Sequence, residues 1–289
     1  GDSPGFATPG ILRLGIPPLK MANGPVGVGA YGPATAFPAP IAMASTWNKE
    51  LIYKVGETIA KELKARDRNF LLAPTVNLHR LPVGGRNFES FGEDPYLSSR
   101  IGVSYIKGAQ SQDVITSVKH FACNNQEWKR RDVNMIVDER TLNEIYLPPF
   151  KAAIKEAEVL SVMSAYNYVN DVHCSENEML LSQILKNKWN FNGFVVSDWM
   201  SVYSTADAAK AGLDLEMPHS VFFSEENIKK AFEQGQLNME TINDQVIRLL
   251  YARQKAGLLN MPANEADTSV IYSEKHKNLA LQVAREGMV

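Results

Sequence analysis

Short apolar runs alternate with amphipathic helical patterns along most of the chain, and this alternation restricts the possible folds more than any other feature. The apolar runs cover residues 70–73, 114–118, 160–165, 193–197 and 213–217. Helical patterns cover residues 49–65, 96–111, 139–157, 177–189, 202–211, 222–235 and 239–256. Strands separated by helices of this length are typical of βα units, whose strands pair in parallel. We therefore predict an α/β fold around a parallel sheet.

Many βα steps without a glycine fingerprint for nucleotides favour a closed, TIM-like (β/α) barrel over an open doubly wound sheet. The Pro/Gly-rich opening over residues 1–40 allows an irregular first βα unit. We expect the barrel to occupy residues 1–258. After Leu258 the sequence has linker composition, and a new helical pattern opens at Ser273. We therefore predict that residues 259–289 contain a linker and the start of a truncated second domain.

Charge and composition limit the classes of molecule that this chain is expected to bind. The chain has 30 basic and 32 acidic residues, a net charge of −2 and no block of like charge, so we expect no nucleic acid or membrane partner. No apolar run approaches the length of a membrane span. Cys123 and Cys174 match no disulfide framework and no metal spacing, so we expect no metal and no cofactor. We expect a soluble protein, with cytoplasmic and secreted locations both open.

Unusual polar residues follow the predicted strands, where a barrel gathers side chains at one mouth. They are Lys119 and His120, Tyr166, Asp198 and Trp199, and a loop with Arg86 that follows residues 70–73. Taken singly, each has a structural explanation, such as a Lys119–Asp198 ion pair or a hydrogen-bonded core histidine. Together they would place many desolvated polar groups at one mouth, which functional sites tolerate and cores avoid.

The residue types at this mouth suit carbohydrate chemistry. A sugar offers many hydroxyl groups and one weakly polar ring face, so its site needs hydrogen-bonding groups and an aromatic platform such as Trp199. A carboxylate below the anomeric carbon can attack it, while a second carboxyl protonates the leaving oxygen. We predict that Asp198 is the first of these carboxylates.

The ordered motifs of the chain resemble those of glycoside hydrolase family 3, of the β-glucosidase type. The similar segments cover nearly the whole chain and are Leu14–Pro17, Asn23–Pro25, Arg80–Pro95, Val118–Phe121, Asp138–Leu142, Ser164–Asn167, Gly193–Trp199 and Ala211–Pro218. The resemblance implies a retaining β-glycosidase of the exo type, acting on a β-linked glucoside or oligosaccharide. It implies a barrel whose mouth binds the sugar at the non-reducing end.

The same resemblance implies a role for each candidate residue. Asp198 corresponds to the nucleophile. The residues expected to bind sugar hydroxyls or to support Asp198 are Arg86, Lys119, His120, Arg130 and Tyr166. Met163 and Trp199 correspond to apolar walls of the sugar subsite.

Two departures from the family pattern stand out. Asn23 occupies the position of an aspartate that grips outer hydroxyls of the sugar, so we expect weaker or differently selective binding. The family's acid/base glutamate comes from a following α/β sandwich domain, and these residues end where that domain would begin. We therefore expect a missing C-terminal domain to supply the acid.

Three alternatives concern the source of the acid or the absence of catalysis. The single-domain β-N-acetylglucosaminidase branch of the family is set aside, because no histidine lies between His120 and His173 to act as its acid/base. Glu216 could serve as the acid, since its run follows that of Asp198 and neighbouring strands lie about 4.8 Å apart. Anchoring of loops by Asp214 and Glu216 competes with that reading. A non-catalytic sugar-binding or structural barrel, part of a split or truncated enzyme, also stays open.

Overall fold

A parallel five-stranded sheet forms the centre of the computed structural model, which describes residues 5–29, 31–259 and 267–288. The strands are β1 (Met21–Asn23), β2 (Phe70–Leu72), β3 (Ile115–Phe121), β4 (Ser161–Ser164) and β5 (Phe194–Val196). Their order in the sheet equals their order in the chain, and each neighbouring pair is parallel. The predicted α/β fold of the (β/α)-barrel class is confirmed.

The two edges of the sheet differ from the sequence prediction. β1 was not predicted, because it lies in the Pro/Gly-rich opening and its three residues form no apolar run. The run 213–217 was predicted as a strand but makes a single bridge, between Val196 and Leu215. Its pairing stops there because the backbone N–H of Met217 donates to the Ser197 hydroxyl instead. Among the described residues, no ladder joins β1 to this segment.

Alternate residues of the strands face two different cores, as the strand period of two requires. One core lies inside the sheet's curve and includes Phe70, Leu72 and Phe194, with Ala252 of a late helix packed against them. The other includes Leu71 and lies between the sheet and the surrounding helices. The sheet is thus buried on both faces, as parallel sheets are.

The helices lie close to the predicted patterns. They are α1 (Pro40–Ser45), α2 (Lys49–Lys64), α3 (Pro95–Gln110), α4 (Glu139–Thr141), α5 (Pro148–Lys155), α6 (Ala206–Ala211), α7 (Glu225–Glu233), α8 (Met239–Lys255) and α9 (Glu274–Glu286). A π-helical turn (Leu142–Tyr146) joins α4 to α5 within the helix predicted at 139–157, and the helix predicted at 177–189 is π-helical over Met179–Lys188. The Asp94 carboxylate caps α3 by accepting the Leu97 N–H at 2.5 Å.

A second, smaller sheet lies beside the strand ends. It pairs Asn134–Met135 in parallel with Tyr168–Val169, which pairs in turn with Val172–His173 in antiparallel fashion. This sheet was not predicted, because strands of two residues leave no pattern in the sequence. It orders the loops that follow β3 and β4.

The tail beyond the barrel is described in part. Residues 260–266 of the predicted linker lie outside the described residues. α9 packs beside α1 and α2, where Val283 is fully buried and the His276 Nδ1 atom lies 2.7 Å from the Glu62 carboxylate. The start of a second domain at residue 259 stays a prediction. No helix within the described ranges has the length and apolar character needed to cross a membrane.

Candidate active site

A pocket of about 290 Å³ opens at the carboxyl ends of the parallel strands. All of the side chains predicted from the sequence line it: Asn23, Arg86, Lys119, His120, Arg130, Met163, Tyr166, Asp198 and Trp199. Phe6 and Glu89 complete the lining and were not among the predicted site residues. The residues predicted by the strand-end argument therefore lie together around one pocket.

Asp198 lies two residues beyond β5 and is only 7% exposed. Its Oδ1 atom accepts the backbone N–H of Trp199 at 2.7 Å, which fixes the carboxylate plane. Its Oδ2 atom is buried without a hydrogen-bond partner, and the His120 Nε2 atom is 3.5 Å away. Buried carboxylate oxygens are usually paired, so Oδ2 keeps a lone pair that a ligand or a reacting atom can meet.

Three basic side chains surround Asp198. The Nη1 atom of Arg86 lies 3.1 Å from Nε2 of His120, and the Lys119 ammonium donates to Oδ1 of Asn23 at 3.3 Å. Burial and the adjacent Arg86 cation lower the pKa of Lys119 to about 8, against the opposing charges of Glu89 and Asp198. Burial also holds the pKa of His120 well below its ordinary value. His120 is therefore neutral, while Lys119 keeps its charge at neutral pH.

Glu89 is the carboxylate that the sequence reasoning did not assign. It accepts two hydrogen bonds from Arg86, at 2.6 and 3.3 Å, and one from the Thr75 hydroxyl at 3.3 Å. Burial alone would raise the pKa of Glu89, but the hydrogen bonds and charge of Arg86 lower it. Glu89 thus orients the guanidinium of Arg86. Its spacing three residues after Arg86 was the signal that could have identified it.

Arg130 and Tyr166 form the side of the pocket next to the small sheet. The guanidinium of Arg130 stacks over the Tyr166 ring at 4.1 Å, and its Nη1 atom donates to Glu127 at 2.6 Å. Burial raises the pKa of Tyr166, and the charge of Asp198 raises it further. The phenol therefore stays protonated and can donate a hydrogen bond.

The apolar walls are formed by Trp199, Phe6 and Met163. The rings of Phe6 and Trp199 are 4.9 Å apart at their centroids and tilted by 38°. The backbone carbonyl of Phe6 accepts the Met21 N–H at 2.8 Å, so the N-terminal segment is held beside β1. Phe6 was missed because nothing in an irregular opening segment indicates which strand it meets.

Glu216 does not line the pocket, which removes the alternative that it acts as the acid and favours the anchoring of loops. Its two carboxylate oxygens accept the backbone N–H groups of Phe222 and Phe223, at 3.1 and 2.7 Å. Asp214 is likewise structural, with one oxygen 2.8 Å from Lys186 Nζ and the other accepting the Val195 N–H at 2.7 Å. Both carboxylates tie down loops behind the mouth.

Comparison with known proteins places this arrangement in a family. The family described as "Glycosyl hydrolase family 3 N terminal domain" matches residues 12–252. The chain belongs to glycosyl hydrolase family 3. The resemblance predicted from its motifs is confirmed.

Family 3 relatives match nearly all of this chain. It is 42% identical over 96% of its length to thermostable beta-glucosidase B of Acetivibrio thermocellus and 40% identical over 98% to a beta-glucosidase of Rhizobium radiobacter. It covers only 38% and 35% of those two proteins.

Solved family 3 structures superpose closely on the fold. Beta-glucosidase 3B of Thermotoga neapolitana in complex with glucose aligns with a TM-score of 0.89 and 39% identity, over 97% of this chain and 41% of that one. A GH3 beta-glucosidase of Bifidobacterium adolescentis aligns with a TM-score of 0.91 and 35% identity, over 100% of this chain and 42% of that one. This chain therefore spans about two fifths of the length of these family 3 proteins.

Proposed function

We propose that this chain is the part of a retaining β-glucosidase that binds the terminal glucose and supplies the nucleophile, Asp198. The observation that carries the proposal is the unpaired Oδ2 atom of Asp198 within a pocket of cationic and aromatic side chains. The beta-glucosidase names of the relatives and the glucose complex of one of them support glucose as the sugar.

The lining residues have the chemistry that the first half of the reaction needs. Oδ2 of Asp198 attacks the anomeric carbon, a glycosyl ester bond forms, and the bond to the leaving oxygen breaks. The cations of Arg86 and Lys119 can donate hydrogen bonds to sugar hydroxyls. Trp199 offers its face to the apolar side of the sugar ring. In the second half, water hydrolyses the ester and releases the sugar.

A proton donor for the leaving oxygen is the part that this pocket does not provide. Glu89 is committed to Arg86 through two hydrogen bonds, and Glu127, which lies behind the pocket, is paired with Arg130. Among the described residues that line the pocket, Asp198 is then the one carboxylate without a cationic hydrogen-bond partner. We propose that a glutamate of a following α/β sandwich domain supplies the proton.

The nucleophile can be tested without the acid. In a 2-deoxy-2-fluoro-β-glucoside with a dinitrophenolate leaving group, the leaving group departs without protonation. Asp198 should therefore become glycosylated without the help of a general acid. Intact-mass spectrometry should show a gain of one fluoroglucosyl group, and peptide mapping should locate it on Asp198. Asp198→Asn should gain none, while Asp207→Asn, an exposed aspartate on α6, should be labelled like the wild type.

The two readings of the chain give different results in this assay. Labelling of another residue would refute Asp198 as the nucleophile. Binding of glucose with no labelling would instead favour the non-catalytic sugar-binding barrel. An unactivated glucoside should turn over only when the following domain is added, because its leaving group needs the acid.

A further inference from the structure

The side-chain amide of Asn77 is bound at both ends to the backbone of one pocket residue, His120. Its Oδ1 atom lies 2.8 Å from the backbone nitrogen of His120, and its Nδ2 atom lies 2.9 Å from the backbone carbonyl oxygen. A backbone N–H only donates and a carbonyl only accepts, so these two contacts fix which end of the amide is oxygen. The acceptor position of Oδ1 is therefore unambiguous.

The ring of His120 meets that same oxygen. Its Nδ1 atom lies 3.2 Å from Oδ1 of Asn77, so Nδ1 must carry a proton. Its Nε2 atom lies 3.1 Å from Nη1 of Arg86, and a guanidinium nitrogen can only donate, so Nε2 must present a lone pair. Both ends of the ring thus require the same neutral tautomer, with the proton on Nδ1.

This tautomer determines whether the His120 ring can donate a hydrogen bond to the Asp198 carboxylate. His120 Nε2 is 3.5 Å from Oδ2 of Asp198. Two acceptors that face each other form no hydrogen bond, which explains why Oδ2 is buried without a partner. With a proton on Nε2, the imidazole would instead donate to Oδ2 and occupy its lone pair.

We propose that Asn77 is a positioning residue that holds His120 in the Nδ1–H tautomer and thereby keeps Oδ2 of Asp198 free to attack. The inference rests on the proposed role of Asp198 as nucleophile. Asn77 does not touch the sugar position itself: it is 7% exposed, lies after β2, and lines a small polar cavity behind Arg86 and His120.

The charges around His120 favour the same state. Burial lowers its pKa, and the nearby cations lower it further: Arg86, Lys119 and Arg130. The Asp198 carboxylate is the anion that faces the ring most closely. If Asn77 no longer accepts from Nδ1, a buried proton there loses its partner, and the proton is expected to move to Nε2, where the Asp198 carboxylate can accept it and from which Arg86 Nη1 must then turn away.

The tautomer can be read directly by NMR of histidine ring nitrogens. The chain has five histidines, and His120→Gln identifies the signals of His120. In the wild type, Nδ1 should be protonated and Nε2 bare. Asn77→Leu removes the acceptor at similar volume and should shift the proton to Nε2. Asn125→Leu is the matched control, because Asn125 is equally buried and donates only to the Leu78 carbonyl.

The consequence for chemistry is measured with the fluoroglucoside described above. Labelling of Asn77→Leu should be about tenfold slower than wild type, which corresponds to one hydrogen bond that the attacking carboxylate must break. Asn125→Leu should keep the wild-type rate per folded molecule, although it loses stability.

Asn77→Asp provides a second test if Asn77→Leu does not fold. Its carboxylate still accepts from Nδ1 but adds a negative charge, so the pKa of His120 should rise and the doubly protonated ring should donate to Asp198. The labelling rate of Asn77→Asp should fall at low pH and recover as pH rises. This acid limb of the pH profile should lie at higher pH than in the wild type.

Three results would overturn the proposed role of Asn77. They are retention of the Nδ1 proton in Asn77→Leu, wild-type labelling by a variant protonated at Nε2, and an acid limb in Asn77→Asp that is unchanged from wild type. Absence of labelling in the wild type would instead refute the proposed role of Asp198, and with it the consequence drawn for Asn77.

Discussion

Replacement of Lys119 by methionine should make the protein more stable while it abolishes sugar binding. The Lys119 side chain is buried, with the residue only 3% exposed, and burial lowers its pKa from 10.5 to about 8. This difference corresponds to about 3 kcal/mol of folding free energy at about 1.4 kcal/mol for each pKa unit. At pH 7 Lys119 is therefore charged in both states, and its ammonium ion is less stable when buried in the native state than when hydrated in the unfolded chain.

The sign of the pH dependence follows from the same values. Between pH 8 and 10.5 the unfolded state binds the lysine proton and the native state does not, so this group's contribution makes stability rise with pH in that window. Lys119→Met removes the penalty at every pH. We expect its urea-induced unfolding at pH 7 to show a stability gain of about 1 to 3 kcal/mol, since methionine fits the same volume.

A second buried lysine supplies the matched control. Lys186 is 8% exposed, but its Nζ atom lies 2.8 Å from Oδ1 of Asp214, whose side chain is fully buried. Lys186→Met leaves that carboxylate without its ion pair and should destabilise the protein by about 3 kcal/mol. A loss of stability for Lys119→Met comparable to that of Lys186→Met would refute the reasoning, as would glucose binding that survives the Lys119 substitution.

Three further substitutions test individual contacts. Glu89→Gln leaves one acceptor oxygen for the two hydrogen bonds of Arg86, so glucose binding measured by calorimetry should weaken about tenfold, and an unchanged affinity would exclude an orienting role. Glu216→Gln should lower the unfolding free energy by about 1 kcal/mol but leave the fluoroglucoside labelling rate unchanged, whereas a loss of labelling would restore Glu216 as a reacting group. Burial alone would raise the pKa of Glu62, but hydrogen bonds from Thr35 and other donors lower it below 4.5, so its contribution is present above pH 4.5 and lost as pH falls through the folded pKa. Glu62→Gln should thus lower the melting temperature at pH 7 and reduce its dependence on acid, and an unaltered acid dependence would contradict this.

The main elements of the fold could be predicted because their signals are local. The apolar stripe of α2 and the Asp94-Pro95 start of α3 lie within single helices, so they need no knowledge of neighbours. β1 and the run 213–217 were misjudged because β1 has no apolar run of its own and the run 213–217 makes one bridge, so both depend on what pairs with them. Pairing across the chain leaves no period in the local sequence.

The part of the candidate site that lies at the ends of the strands could be predicted from the sequence. Lys119 and His120 close β3, and Asp198 follows β5, so the parallel sheet brings them to one edge. The rule does not give the direction of a side chain in a loop. Glu216 lies near the end of the predicted strand run 213–217, and Asp198 directly follows the run 193–197, yet backbone N–H groups of the next loop hold Glu216 away from the pocket.

By itself, the sequence determined the parallel α/β fold, the family and nine of the residues that line the pocket. The order of elements and the residue types at strand ends follow directly from the sequence, and parallel pairing brings the strand ends together at one edge of the sheet. Tertiary structure alone decided that Glu89 orients Arg86, that Asn77 holds the ring of His120, and that Oδ2 of Asp198 stays unpaired. Those outcomes depend on hydrogen-bond geometry within a few tenths of an ångström between segments distant in sequence, which no local pattern encodes.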